Sequence, residues 1–298
     1  MTEHSPKRFS RRTLGKAALW TSVAVGIPAA IDQGPRVVEY LPPTHSEIVF
    51  QSQQERRLAE ANSACLIFGG ATIRSPEGLM HALTPALEPL GPVGGILYAK
   101  DDLDTKSIAA NIRRLKHNYG IADYSLYLHS LGAQVAGEVL ELVGEEITIN
   151  HIFLDCVPPS FAYLDHSTSA RLIGDVPYDG GALVTGFANF STYGTPFQEG
   201  SAYSGLLWDE FEALRAGERY IGDVAVVAKR DNSTVSYLTP KDPTADTIVN
   251  SPAAEERLRE LFPGLRAYRL GGNQVHGNSP HNTKEYQRAI REALSATA

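Results

Sequence analysis

The sequence predicts an α/β fold in which helices flank a mainly parallel central sheet. From about residue 47, short apolar runs of strand length alternate with segments of helical periodicity. This alternation is typical of βα units, in which a helix crosses over between two parallel strands. The chain has 298 residues, of which 43% are hydrophobic and 20% charged, so it is long and apolar enough for one sizeable core.

Short apolar runs mark the predicted strands of the sheet. They are long enough for strands and too short for helices of ordinary length. Two candidate strands come first along the chain, at residues 36–40 and 47–50. The core strands are then predicted at residues 64–68, 95–99, 124–128, 149–154, 223–228 and 266–270.

Helices are predicted in the intervals between these strands, where parallel pairing requires a crossover. In the interval 104–118, Ile108, Ile112 and Leu115 share one face, and Gly120 supplies a stop. The other helices are predicted from the residue after Ser130 to Gly144, from Ser251 to Pro263, and from Asn282 or Thr283 onward.

The N-terminal segment has the layout of a targeting sequence. Residues 7–16 contain five basic residues, and residues 17–31 contain no charged residue. The run Ser10-Arg11-Arg12-Thr13-Leu14-Gly15-Lys16 resembles the twin-arginine export signal. The resemblance implies transient contact with the twin-arginine export machinery. We therefore expect an extracytoplasmic protein that is secreted, periplasmic or at the cell surface.

Residues 1–31 are thus predicted to be a signal or anchor segment, and residues 32–298 the folded domain. Small residues at 24–26 and 28–30 approximate a signal-peptidase site, which favours release, whereas an uncleaved segment would attach the protein to the membrane. The uncharged run is shorter than the roughly 20 residues that span a bilayer comfortably.

Acidic residues outnumber basic ones, with 34 Asp and Glu against 27 Lys and Arg and a formal net charge of −7. Without residues 1–31 the net charge would be about −11. A surface of this sign disfavours phosphate-rich partners, so nucleic acid is not expected as a ligand.

The sequence predicts neither a metal nor a cofactor. Cys65 and Cys156 each lie in an apolar, strand-like run, which indicates buried, unpaired thiols. The histidines lack the spacing of a zinc site. The glycine-rich run 91–95 precedes a strand, whereas dinucleotide and phosphate loops follow one.

Residues 157–222 interrupt the alternation of strands and helices. The interval is rich in glycine and in aromatic residues, including Phe161, Tyr178, Phe190 and Trp208. It is predicted to be a cap that covers an active site and gives it an apolar lining; the alternative is a packed surface excursion without substrate contact.

Ser130 lies between a strand-like run and a helical one, in the sequence Leu128-His129-Ser130-Leu131-Gly132. This arrangement resembles the nucleophile elbow G-x-S-x-G of the α/β-hydrolase family, with Leu128 in place of the first glycine. A tight turn there would expose the serine hydroxyl and leave the Leu131 N–H at a helix N-terminus, where it can bind an oxyanion.

The resemblance implies a base and an acid that follow the serine along the chain. His276 follows the predicted strand 266–270 and precedes the last helix, as the family's base does; His281 is its rival. Asp231 follows the predicted strand 223–228 and is assigned as the acid. Asp155, at the end of the preceding strand, is the alternative acid because some lipases of the family use that position.

The second oxyanion donor of the family comes from a loop after an early strand. Here that loop contains Gly69, Gly70 and Ala71, with Phe68 where the family often has histidine. The glycines allow the backbone to approach a substrate, so the N–H of Gly70 or Ala71 is the candidate donor beside Leu131.

Together these residues imply an exported serine hydrolase that cleaves a small-molecule carboxylic ester through an acyl-enzyme and needs no cofactor. An apolar acyl or alcohol part would suit the aromatic cap. The alternatives are a catalytically silent scaffold that binds a ligand outside the cytoplasm, or a thioesterase, amidase or cofactor-free peroxidase with the same triad.

Overall fold

The computed structural model describes residues 43–70, 76–99, 102–164, 213–246, 249–272, 279–280 and 282–296. The strands within these ranges are β1 Glu47–Phe50, β2 Ser63–Phe68, β3 Val93–Leu97, β4 Asp123–His129, β5 Thr148–Asp155, β6 Thr234–Pro240 and β7 Arg266–Leu270. These seven strands form one sheet in the order β1-β3-β2-β4-β5-β6-β7. β1 at the edge is antiparallel to β3, and every other neighbouring pair is parallel.

Helices cover both faces of the sheet. Alternate residues of a strand face opposite sides, so Leu126 and Leu128 belong to one apolar cluster and Tyr127 to another. The helices of the described residues are α1 Ser52–Arg57, α2 Glu77–Leu87, α3 Thr105–Tyr119, α4 Gly132–Val143, α5 Gly217–Arg230, α6 Ser251–Leu261 and α7 Thr283–Ser295. Helices α3 to α6 contribute to the first cluster, and α2 and α7 to the second.

The fold class predicted from the sequence is confirmed, and most of the strands lie where the apolar runs predicted them. The observed β3 starts two residues before the predicted run 95–99. The predicted strand at 36–40 lies outside the described residues, as do the signal segment 1–31 and residues 165–212 of the predicted cap. In the described part of the chain, no helix is long and apolar enough to cross a membrane.

The predicted strand at 223–228 is wrong, because these residues belong to helix α5. The buried residues of that helix, Ile221, Val224, Val227 and Ala228, recur at intervals of three and four, whereas Val226 within the same run is 67% exposed. This is helical rather than strand periodicity. The next strand along the chain after β5 is β6, which pairs with β5. The sequence interpretation missed it because serine, threonine and proline interrupt its apolar residues.

Both cysteines are buried and neither forms a disulfide bond, as the sequence predicted. Cys65 lies within β2, and burial raises the pKa of its thiol far above its ordinary value. Such a thiol stays protonated at neutral pH and is a poor nucleophile.

Candidate active site

Ser130 occupies a sharp turn between β4 and α4. Its φ is +50°, in the left-handed region, which costs a residue with a side chain roughly 1–2 kcal/mol. The Ser130 N–H donates to the Asp155 carbonyl oxygen at 2.9 Å, which ties the turn to the end of β5. A strained residue held by its surroundings at the carboxyl edge of a parallel sheet has the geometry of a nucleophile elbow.

Gly132 allows the helix after the turn to contact the neighbouring strand. A Cβ at this position would lie 2.3 Å from the carbonyl oxygen of Phe68, at the end of β2. Leu128 pairs with Phe68 and Leu154 and is buried in the core. The turn therefore forms with leucine where the motif has glycine, because this side chain packs into the core of the sheet.

The loop after β2 brings its backbone against Ser130. A Cβ at Gly70 would lie 2.8 Å from the Ser130 Cβ and 3.0 Å from the His129 Cδ2. The Tyr98 hydroxyl donates to the Gly69 carbonyl oxygen at 3.0 Å and so holds the loop from the other side. The first N–H groups of a helix lack intrahelical acceptors, so the Leu131 N–H at the start of α4 is available to a ligand. Ala71, the other candidate donor, lies outside the described residues.

Asp155 lies at the end of β5, directly beside the turn, and is 0% exposed. Its Oδ2 accepts hydrogen bonds from the Tyr127 hydroxyl at 2.7 Å and from His129 Nδ1 at 2.9 Å. Its Oδ1 accepts from the Tyr286 hydroxyl on α7 at 3.2 Å. The alternative acid of the sequence prediction is therefore close to Ser130, and its carboxylate already accepts three donors.

Asp231 lies at the opposite edge of the sheet, so its assignment as the triad acid is wrong. Its Oδ2 accepts the Ile149 N–H at 2.8 Å at the beginning of β5, where Ile149 pairs with Tyr124 near the beginning of β4. Six residues of extended chain separate Tyr124 from Ser130, about 20 Å. The error follows from the misassigned strand, because Asp231 comes before β6 rather than after it.

The loop after β6 supplies an acid that the sequence interpretation missed. Asp246 is 3% exposed, and its Oδ1 accepts the Val249 N–H at 2.9 Å. Asp242 on the same loop is exposed and accepts bonds from Thr244. The run Val235-Ser236-Tyr237-Leu238 was the available signal, since assigning β6 there puts the acidic loop at the carboxyl edge.

Asp246 and Asp155 carry their charges close to the same tyrosine. Burial raises the pKa of the Tyr286 hydroxyl well above its ordinary value, and the negative charges of Asp155 and Asp246 raise it further. The buried carboxylates of Asp155, at the end of β5, and of Asp246, on the loop after β6, thus lie on the same side of the molecule as Ser130.

His276 and its rival His281 lie outside the described residues. The ends of the loop that contains them are joined: Asn282 Nδ2 donates to the Gly271 carbonyl oxygen at 2.9 Å, and the Gly271 N–H donates to Glu285 Oε2 at 3.1 Å. The loop therefore leaves β7 at the edge of the sheet that carries Ser130 and returns to α7.

No cluster of three or more metal-ligating side chains occurs among the described residues.

Neither a protein-family model nor a curated protein matches the sequence. Solved structures do match the fold. One is the haloalkane dehalogenase DbeA from Bradyrhizobium elkani, with 12% identity over 84% of this chain and 93% of that chain and a TM-score of 0.59.

Two esterase structures match over similar lengths. A structure from work on the carboxylesterases of the archaeon Nitrososphaera gargenis shares 10% identity over 85% of this chain and 94% of that chain, with a TM-score of 0.53. The esterase EaEST from Exiguobacterium antarcticum shares 12% identity over 84% and 94%, with a TM-score of 0.52. At these identities the likeness establishes the α/β-hydrolase fold and leaves the reaction to be argued from the site.

Proposed function

We propose that this protein, which has the α/β-hydrolase fold, is a serine hydrolase that cleaves carboxylic esters through an acyl-enzyme. The observation that carries the proposal is Ser130, held at φ +50° between β4 and α4 with the backbone of Gly70 against its Cβ. The left-handed turn presents the hydroxyl at the helix N-terminus, beside two backbone segments that can stabilise an oxyanion. That two of the similar structures come from esterase work supports the substrate class.

In the proposed reaction His276 removes the proton of Ser130, and the serine oxygen attacks the ester carbonyl carbon. The N–H groups of Leu131 and of the Gly70 loop stabilise the oxyanion. The C–O bond to the alcohol then breaks, and His276 returns its proton to the leaving oxygen. Water, deprotonated by His276, attacks the acyl-serine. The bond between the acyl carbon and the serine oxygen breaks, His276 returns its proton to that oxygen, and the acid departs.

We assign Asp246 as the acid that orients His276. It is a buried carboxylate on the loop after β6, next to the strand that leads to the His276 loop. Asp155 is less suited to this role because its two oxygens already accept bonds from Tyr127, His129 and Tyr286.

Labelling with a fluorophosphonate probe tests the proposal without knowledge of the natural substrate. We expect Ser130→Ala to lose both labelling and hydrolysis of short and medium p-nitrophenyl esters while it remains folded. Ser295→Ala, an exposed serine on α7, is the matched control and keeps both activities. Unlabelled wild-type protein would instead favour the ligand-binding scaffold. Matched thioester and anilide substrates separate ester hydrolysis from thioesterase and amidase activity.

We further propose that the aromatic interval 157–222 forms an apolar part of the substrate site. A series of p-nitrophenyl esters of increasing acyl length tests this proposal. We expect kcat/KM to rise from acetate to medium chains, since each buried methylene contributes about 0.8 kcal/mol of favourable transfer free energy. A flat or falling series would refute an apolar acyl site.

We also propose that residues 1–31 direct export through the twin-arginine machinery. Arg11 and Arg12 are the residues that carry this proposal. We expect the double substitution to Lys to retain the protein in the cytoplasm, as measured by cell fractionation. Unchanged export would contradict it, and mass spectrometry of the exported form shows whether the segment is cleaved.

A further inference from the structure

Asp155, which lies behind the nucleophile turn, joins three parts of the candidate site. Its backbone carbonyl oxygen accepts the Ser130 N–H. Its carboxylate accepts bonds from Tyr127 and His129, both on β4, and from Tyr286 on α7. One residue therefore contacts the nucleophile's backbone, the strand that leads to the nucleophile, and the helix that follows the His276 loop.

His129 extends this network to the proposed oxyanion loop. An ionised carboxylate only accepts hydrogen bonds, so the Nδ1 that faces Asp155 carries the proton. The opposite edge of the ring, at Cδ2, faces Gly70, where a Cβ would come within 3.0 Å. The His129 ring thus lies between Asp155 and Gly70, and its orientation determines how the backbone of the loop rests against Ser130.

The network is a costly way to fill the space, because removing a carboxylate from water is unfavourable unless its oxygens are well hydrogen-bonded. An apolar cluster of similar volume would stabilise the fold at least as well. Each donor here comes from a side chain with few rotatable bonds and little exposure. Such a group gives directional restraint, which matters where a misplacement of about 1 Å costs a hundredfold in rate.

We propose that Asp155 is a positioning residue that acts through His129 and Tyr286 to hold the Ser130 turn, the Gly70 loop and helix α7 in one geometry. This inference rests on the proposed function for its kinetic consequence. It assigns Asp155 a role different from that of the triad acid, since its carboxylate holds other side chains and the base is oriented by Asp246.

Two substitutions separate the arms of the network. Tyr286→Phe removes only the bond to α7. His129→Leu removes one of the two bonds to β4 and leaves that of Tyr127, whereas His129→Asn restores a donor at the position of Nδ1. Tyr124→Phe is the matched control: Tyr124 is a buried tyrosine on the same strand, but it faces the other core, where its hydroxyl donates to the Ile121 carbonyl oxygen.

We expect kcat for a p-nitrophenyl ester to fall about 10- to 100-fold in Tyr286→Phe and in His129→Leu, with KM nearly unchanged. His129→Asn recovers most of the loss, and Tyr124→Phe stays near the wild-type rate. If Tyr286→Phe and His129→Leu retain the wild-type kcat, the proposal is overturned. If Asp155→Asn alone abolishes turnover while these two variants stay active, Asp155 is the triad acid instead.

Hydrogen exchange gives a readout that does not depend on activity. We expect the amides of Ser130 and Gly70 to exchange faster in Tyr286→Phe and His129→Leu than in wild type, and no change in Tyr124→Phe. Unchanged exchange at both amides would refute the positioning role whether or not the protein is a hydrolase. If exchange is faster in these variants but the wild-type protein is not labelled by the fluorophosphonate probe, only the proposed function is refuted.

Discussion

Replacing Gly132 by alanine should reduce both stability and activity, because the added Cβ would clash with the backbone at the end of β2. The added Cβ would lie 2.3 Å from the Phe68 carbonyl oxygen and 2.9 Å from that of Gly69, whereas ordinary contact begins at 3.4 Å. Helix α4 and the end of β2 must therefore separate by about 1 Å. Overpacking of this kind costs about 1–3 kcal/mol, and the same shift moves Ser130 away from the Gly70 loop.

Gly222→Ala is the matched control for this substitution. Gly222 also lies in a helix, α5, but nothing lies within 4 Å of an added Cβ. Alanine there should stabilise the protein by about 0.5–1 kcal/mol, because glycine in a helix loses more conformational freedom on folding. The two variants thus carry the same chemical change with opposite expected signs.

Thermal unfolding and ester hydrolysis measure both effects. A change of 1 kcal/mol moves Tm by roughly 2–4 °C in a domain of this size, so Gly132→Ala should unfold several degrees below wild type and Gly222→Ala slightly above it. We expect kcat of Gly132→Ala to fall about a hundredfold. Wild-type Tm and kcat in Gly132→Ala would refute the close packing of α4 on β2.

Three further outcomes follow from the placement of the acids and thiols. Asp246→Asn should reduce kcat by about 10³-fold or more because His276 loses its orienting carboxylate, whereas Asp231→Asn, at the far edge, should keep near-wild-type turnover. Burial alone would raise the pKa of Asp231, but hydrogen bonds from Arg230 and from the Ile149 N–H outweigh it and lower that pKa. The ionised form therefore stabilises the fold above the unfolded pKa of about 4, and this stability is lost as pH falls through the folded value. Asp231→Asn should thus be less stable than wild type at pH 7, and the difference in urea unfolding should shrink below about pH 4. Neither buried cysteine should react with Ellman's reagent until the protein is unfolded.

Each of these outcomes has a definite contrary result. Equal turnover in Asp246→Asn and wild type would remove Asp246 from the triad. A stability difference in Asp231→Asn that does not change between pH 7 and pH 3 would mean that the Asp231 carboxylate contributes through shape rather than charge. Thiol reaction in the folded protein at the rate of a free cysteine would show that one of the strand ends opens.

The sequence predicted local structure correctly where the periodicity of apolar residues fitted only one type of element, as it did on both sides of Ser130. The run before Ser130 is apolar and strand-like, and the run after it is helical. These two periodicities were enough to predict the turn. The same reasoning failed at 223–228, where the apolar run satisfies both strand and helical patterns and only its burial distinguishes them.

The acid of the proposed triad shows why the sequence alone did not identify every residue of the candidate site. Asp231 and Asp246 are fifteen residues apart and both lie in polar loops, so composition and spacing do not separate them. They differ in which end of β6 they flank, and that depends on where the strand begins. Because the strand was assigned at 223–228 instead of at β6, the prediction put Asp231 at the carboxyl edge of the sheet, where Asp246 lies.

The sequence by itself determined the fold class, the strand–turn–helix around Ser130 and the buried state of the two cysteines, because periodicity and apolar content are local properties of the chain. Only the tertiary structure decided that Gly70 lies against Ser130 and that Asp155 accepts hydrogen bonds from Tyr127, His129 and Tyr286. It also decided that Asp231 lies about 20 Å from Ser130. Those contacts join residues distant along the chain. They arise from the register and order of the strands, which cross-strand pairing and core packing select together.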